Sequence, residues 1–310
     1  MTSCIAFCMY MYYSCTQFIV SRTVRDNPAL RCGTCDKCAD RRYNELLTEM
    51  TQQTWTLGTL HLCNARHPCN TIRAINFELY ACQNNCETQV FRHDLTPART
   101  LSDRRWGDVN DVTQLHDKRL AVASSRGLFL LSAAGQTVAV LEQDDFYGSC
   151  VVVNDRLFAS CDHREQLNEY RLVDGEWTKA NEIARRLARR SRVSMAVSDT
   201  DTIFYGLENP DSICEISTAG DDIAPVDLTE ARGGDYRLCA ADRYGAILVA
   251  DQREHRLQVR DRRHGDWNVL DLRPSPRNPQ SAVVISSTLC VSHDQGLRIS
   301  LYTKDGGTAL

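Results

Sequence analysis

Ala246-Ile247-Leu248-Val249-Ala250-Asp251-Gln252-Arg253-Glu254-His255-Arg256-Leu257-Gln258-Val259 is an apolar strand, a polar loop and a second strand. Degraded versions of it recur along the chain. Each copy opens on an apolar run that ends in a small residue: Leu79-Tyr80-Ala81-Cys82, Leu120-Ala121-Val122-Ala123, Leu157-Phe158-Ala159-Ser160, Ile203-Phe204-Tyr205-Gly206, Ile247-Leu248-Val249-Ala250 and Leu289-Cys290-Val291-Ser292. The six starts are separated by 41, 37, 46, 44 and 42 residues. A period of roughly 40–50 residues belongs to propeller blades, but helical solenoid pairs have similar periods. The pattern inside each copy decides between them.

A second run follows about ten residues after the first, as in Leu128-Phe129-Leu130-Leu131, Leu167-Asn168-Glu169-Tyr170 and Leu257-Gln258-Val259. Several of these runs alternate apolar and polar, the period of a half-buried strand. Turn punctuation comes next, at Ala134-Gly135, Asp174-Gly175, Ala219-Gly220, Gly265-Asp266 and Asp305-Gly306, where Gly suits a tight hairpin. Another run then closes the unit, such as Thr137-Val138-Ala139-Val140-Leu141 or Trp267-Asn268-Val269-Leu270. A strand also precedes each motif; Cys150-Val151-Val152-Val153 runs into the turn at Asn154-Asp155. Four strands per unit joined by short hairpins make a propeller blade. A β-sandwich also has short strands and many turns, but it does not predict the same four-strand phrase six times.

The phrase Ile247-Leu248-Val249-Ala250-Asp251 followed by His255-Arg256-Leu257-Gln258-Val259 resembles an NHL repeat, in which a strand ending in Ala-Asp precedes an Asn/His-Arg-Ile/Leu-Gln-Val strand. The other copies keep the apolar skeleton and lose the Asp and the Arg. The first has Cys82-Gln83 at that place, and the last reads Val291-Ser292-His293-Asp294. As an architecture the resemblance covers about residues 70–310; as a motif it covers about fifteen residues. The C-terminal half also resembles the divergent propellers of invertebrate tripartite-motif (TRIM-NHL-like) proteins. The resemblance implies an all-β, six-bladed propeller that binds RNA or protein. It also implies a link to the ubiquitin pathway, in which the RING of such proteins carries the ligase activity.

The expected organisation is a Cys-rich segment over residues 1–52 and a propeller over 53–310. The last blade is short of an outer strand, because only Thr308-Ala309-Leu310 follows Asp305-Gly306-Gly307. Trp55-Thr56-Leu57-Gly58-Thr59-Leu60 resembles the outer strands at Trp177-Thr178 and Trp267-Asn268-Val269. Residues 53–61 are therefore expected to pair into the last blade and close the ring, which removes an exposed edge.

The chain has 310 residues, enough for one closed β domain of this kind. Its net charge of −4 gives no overall pull toward DNA or a membrane surface, so nucleic-acid binding would need a local patch. Of 15 cysteines, 10 fall within the first 86 residues. Cys150, Cys161, Cys214, Cys239 and Cys290 fall in expected strands, where free Cys acts as a small buried hydrophobe. The odd total and irregular spacing argue against a secreted disulfide framework and for a cytoplasmic protein. Residues 4–20 are uncharged and largely apolar. Three readings of them stay open: a disordered N-terminus, a signal peptide and a membrane anchor. The last two would make the protein secreted or membrane-anchored.

Cys32-Gly33-Thr34-Cys35-Asp36-Lys37-Cys38 has the spacing to hold one side of a tetrahedral zinc. Cys63 is one candidate for the fourth ligand, with His61, His67 and Cys69 as the others. A remnant zinc site, incidental cysteines and disulfides all remain open. The paired Cys and His series of a RING is missing, and Asp40 to Met50 is too short for a coiled coil.

In a blade the inter-blade loops and the loops between the second and third strands share a face. That face is expected to collect Arg104, Arg105, Arg126, Arg164, Arg253, His255 and Arg256, with Arg273 and Arg277. The run with Arg185, Arg186, Arg189, Arg190 and Arg192 also falls there. Arginine forks suit phosphate, so RNA is one candidate partner. The same face carries Asp103, Asp162, Asp251, Glu254 and Asp294, and it has no aromatic interleaving for base stacking. A protein partner is therefore preferred to RNA. Some six-bladed propellers are calcium-dependent lactonases, and Asn154 and Asn209 are candidate ligands here. No nucleophile elbow, P-loop or HExxH motif appears, so the expectation is a non-catalytic binding module.

Overall fold

The computed structural model describes residues 54–304 except 64–65, 185–192, 199–201, 209–210, 218–223, 227–235, 242–245, 261–264 and 286–287. Among the described residues every regular element is a strand, and no helix is long and apolar enough to cross a membrane.

The first strand, β1 (Thr54–Leu62), precedes the blades. Blade one holds β2 (Cys69–Ile75), β3 (Glu78–Gln83), β4 (Glu87–Phe91) and β5 (Pro97–Ser102). Blade two holds β6 (Val109–Gln114), β7 (Leu120–Ser124), β8 (Gly127–Leu131) and β9 (Thr137–Gln143). Blade three holds β10 (Tyr147–Val153), β11 (Arg156–Cys161), β12 (Gln166–Val173) and β13 (Glu176–Ala184). Blade four holds β14 (Val193–Ser198), β15 (Thr202–Glu208), β16 (Asp211–Ser217) and β17 (Ala224–Val226). Blade five holds β18 (Tyr236–Ala241), β19 (Ile247–Asp251), β20 (Arg256–Arg260) and β21 (Trp267–Val269). After β22 (Asp271–Arg273), blade six holds β23 (Ser281–Ile285), β24 (Thr288–His293) and β25 (Arg298–Lys304). Within each blade the strands pair in sequence order, antiparallel throughout. The inner strands β2, β6, β10, β14, β18 and β23 pack side by side, and β23 meets β2. The fold is a six-bladed β-propeller.

Each seam between blades is a separate apolar cluster, and the strand period creates it. In blade two, Leu120, Val122, Phe129 and Leu131 point toward blade one, among Tyr80, Val90 and Trp106. The alternate residues Ala121, Ala123, Leu128 and Leu130 point toward blade three, among Tyr147, Leu157 and Tyr170. A middle strand is thus buried on both sides, which is why Gly127-Leu128-Phe129-Leu130-Leu131 is apolar without a break. Outer strands touch water on one side, and β9 accordingly alternates between half-buried and exposed residues.

The sixth sheet has five strands, in the order β22-β1-β25-β24-β23. Strand β1 runs antiparallel to β25, from Trp55 opposite Lys304 to Leu62 opposite Arg298, with a bulge at Gly58. Trp55, 1% exposed, is buried with Leu270, Leu272 and Tyr302 between blades five and six. On its far side β1 pairs in parallel with β22, Thr54 lying opposite Asp271. The Thr54 hydroxyl also donates to the Asp271 carboxylate at 2.8 Å.

Candidate functional site

Each inner strand begins on one face of the disc and ends on the other. Four of the six carry a register shift, at the start of β2, β6 and β10 and in the middle of β18: between Cys69 and Thr71, Val109 and Asp111, Tyr147 and Cys150, and Leu238 and Ala240. A bulge bends the strand and re-aims the residues within it. The bulged residues Asn70, Asn110, Ser149 and Cys239 accordingly line the mouth of the central channel.

Arg73 of β2 fills the channel below that mouth. Its Nε donates to Asp111 Oδ1 and its Nη2 to Asp111 Oδ2, each at 2.6 Å. Nη2 also donates to the Met195 carbonyl at 2.9 Å and approaches Ser149 Oγ at 3.4 Å. Nη1 donates to the Cys239 carbonyl at 3.4 Å. One side chain therefore ties together blades one to five. The sixth joins through Ser281 Oγ, which accepts the Ile72 backbone N–H at 3.3 Å. Asp111 is just as fully engaged. Its oxygens also accept from the Val112 N–H at 2.9 Å, the Cys150 N–H at 3.1 Å and the Ser149 hydroxyl at 2.5 Å. Burial opposes the charge on Arg73, but the attraction of Asp111 and their shared hydrogen bonds outweigh it and hold the guanidinium pKa above its ordinary value. Nearby, burial pushes the Cys239 thiol up to about 11, so that thiol is neutral at physiological pH.

Around the mouth lies the face that carries most of the basic residues expected from the sequence. Arg104 and Arg126 are exposed there, in the β5–β6 connection and the β7–β8 turn. Arg105 pairs with Asp103 at 2.5 Å, and Arg164 with Asp145 at 2.6 Å. Arg256 reaches the fully buried Asp251 at 3.1 Å. His255 accepts the Asn278 backbone N–H on Nδ1 at 3.0 Å, and Arg253 is exposed beside it. The ring of His163 lies 5.7 Å from that of Phe146 on the rim. Arg277 belongs to the same face, its carbonyl accepting the Asp294 N–H at 2.6 Å. Arg273 does not: it lies on β22 at the outer edge of the disc, paired with Asp271 at 2.9 Å. Arg185, Arg186, Arg189, Arg190 and Arg192 lie outside the described residues.

Of the candidate zinc ligands, Cys32, Cys35 and Cys38 lie outside the described residues. Cys63 follows β1, packs partly buried against the seam between blades six and one, and has its thiol raised to about 11 by burial. Among the described residues no group of three or more His, Cys, Asp or Glu is arranged to hold a metal ion. Asn154, a candidate calcium ligand, occupies the β10–β11 turn with a φ of 47°, at the opposite end of β10 from the channel mouth. Asn209 lies outside the described residues.

Sequence reasoning missed Arg73 and Asp111, a heavily bonded pair at the channel. The signal was a charge inside the first strand of a blade, where Ile72 and Ile75 flank Arg73 and Val109 and Val112 flank Asp111.

The chain matches no protein-family model and no curated protein in sequence. Solved structures share its architecture. Virginiamycin B lyase from Staphylococcus aureus superposes with a TM-score of 0.58 at 9% identity, covering 77% of this chain and 81% of the lyase. The Cps50 (Swd1) β-propeller domain of Myceliophteria thermophila gives 0.58 at 8% identity, over 80% of this chain and 99% of that domain. An auxiliary nutrient binding protein from Bacteroides thetaiotaomicron gives 0.61 at 10% identity, over 77% of this chain and 69% of that protein. At such identities the likeness establishes the fold alone.

Proposed function

We propose that the propeller is a non-catalytic binding module that engages a protein partner with the face around the channel mouth. Fold does not choose a function: a lyase, a propeller domain and a nutrient-binding protein share this architecture. The observation that carries the reading is how the face spends its charge. Arg105, Arg164 and Arg256 are each matched by a carboxylate of the same face, at 2.5–3.1 Å. Phosphates would have to displace those carboxylates. Mixed, internally paired charge around a largely polar centre suits a polypeptide surface better than a phosphate backbone. The channel, where chemistry would be sited, is occupied by the Arg73–Asp111 pair.

The NHL assignment is part of this proposal and rests on the blade-five phrase from Ile247 to Val259. So is a cytoplasmic location, in keeping with nine described cysteines that are all free thiols.

The test is capture from native lysate on the immobilised full chain, with and without ribonuclease, using wild type and Arg104→Glu/Arg126→Glu. The reading expects the same proteins after RNA digestion and their loss with the double variant. Capture that disappears with ribonuclease overturns it in favour of RNA.

A further inference from the structure

In five blades the fourth strand comes from the blade's own stretch of chain: β5, β9, β13, β17 and β21 each follow the third strand directly in sequence. Blade six is different. Its fourth strand is β1, paired with β25 although Thr56 and Thr303 are 247 residues apart. A fourth strand that frays beside its sequence neighbour stays near its site, at high effective concentration. Strand β1 has no such neighbour in blade six. Once released, it is tethered to the ring only through residues 63–68, which lead to blade one.

Strand β1 is also lightly held. Of its nine residues only Trp55 is buried, among Leu270, Leu272 and Tyr302. Leu57, Leu60 and Leu62 are 37%, 43% and 66% exposed. By contrast four residues of β25 and five of β24 are buried. Blade six therefore keeps most of its core without β1, and a strand with few buried contacts opens at less than the free energy of global unfolding. Opening bares the N–H and C=O groups along the edge of β25, a template for another extended chain. It also bares the apolar socket of Trp55 beside that edge.

We propose that β1 is an exchangeable strand: two copies of the chain trade it reciprocally, each placing its Trp55 in the other's seam between blades five and six. The occupant follows from the match between site and strand. The site takes an indole among Leu270, Leu272 and Tyr302, a hydroxyl opposite Asp271 and a bulge at position 58. The β1 of a second copy supplies all three. The exchanged dimer makes the same bonds as the closed monomer, so exchange of an identical element costs little and protein concentration sets the balance.

The test warms the concentrated, reduced full chain to just below its melting transition, cools it and reads the mass by light scattering. Wild type is expected to give a dimer that survives dilution in the cold. Its ratio to monomer should rise about tenfold for a tenfold rise in total concentration while dimer is scarce. The same treatment is applied to a mixture of Thr56→Cys and Thr303→Cys chains, followed by oxidation. Positions 56 and 303 lie opposite each other in the β1–β25 ladder. Because each chain carries one substitution, a cross-link between these positions joins two chains only where β1 has crossed over. Peptide mapping without reductant separates that bond from any among the native cysteines. A wild-type chain that stays monomeric throughout overturns the proposal, and so do dimers in which positions 56 and 303 are not joined.

Discussion

The Arg73 guanidinium grips the Asp111 carboxylate side-on, through Nε and Nη2, with both bonds at 2.6 Å. The two residues belong to adjacent blades, and the carboxylate side is 1% exposed. A pair this deep is costly to break from one side, because the partner is left charged and buried. Arg73→Met is expected to lower unfolding stability by about 3 kcal/mol or more. Adding Asp111→Asn to it should recover part of the loss. Urea denaturation followed by tryptophan fluorescence measures both. A single variant within about 0.5 kcal/mol of wild type would show that the ring does not depend on the pair.

The β1 strand contributes Trp55 to the seam between blades five and six and covers the edge of β25. Removing residues 1–61 exposes that edge and opens the seam. Trp55→Ala alone should cost about 3–5 kcal/mol, and the truncation should lower the melting temperature by about 10 °C or more. Scanning calorimetry checks both, and an unchanged transition in the truncated chain counts against ring closure by this segment.

Gly296 has a φ of +81°, and a Cβ placed there would lie 2.3 Å from the Cys69 carbonyl oxygen and 2.8 Å from its nitrogen. Both neighbours are backbone, so neither can swing away. Gly175 has a similar φ of +85° with nothing within 4 Å of its Cβ position. Gly175→Ala should cost only the left-handed backbone penalty, about 1–2 kcal/mol. Gly296→Ala should cost clearly more, since the contact between blades six and one must also shift. Equal melting temperatures for the two variants would contradict this.

His293 is buried with its Nε2 2.7 Å from Ser300 Oγ, and Asp294 and Arg298 are the charged groups around it. Burial lowers its pKa, and it lowers that of His61 as well. The folded chain therefore keeps these rings neutral at pH values where the unfolded chain protonates them. Below the unfolded value near 6.5 the unfolded state binds more protons, so stability falls with pH. Above pH ~7.5 this contribution is flat; it declines as the pH drops through 6.5 and levels once the folded rings titrate. Denaturation midpoints from pH 5 to 8 trace the curve, and His293→Gln should flatten it. A midpoint that rises on acidification through this range excludes the assignment.

The blades were legible because a strand between two neighbours must be apolar on both sides. Leu248 and Ala250 pack toward blade six while Ile247 and Val249 pack toward blade four, so Ile247-Leu248-Val249-Ala250 carries the fold in a few letters. The channel was not legible in the same way. Arg73 lies in a strand with ordinary alternation, and its partner Asp111 is 38 residues away. Only the ring geometry brings them together, and it does so through bulges that leave no mark on the residue pattern. Strand β22 was hidden for a related reason: three residues, Asp271 to Arg273, pair in parallel with a strand more than two hundred residues earlier.

The direction of β1 has a consequence for how the molecule can be handled. Trp55 lies opposite Lys304, so the described chain enters and leaves beside the same point. That point is at the end of the blade away from the channel mouth, and an inner strand of seven residues such as β10 spans about 23 Å. A fluorophore, tag or surface linkage attached at either of these ends would be held clear of the opening. The propeller can be fastened from behind with the face around the channel mouth turned outward, an orientation suited to measuring binding on a sensor chip.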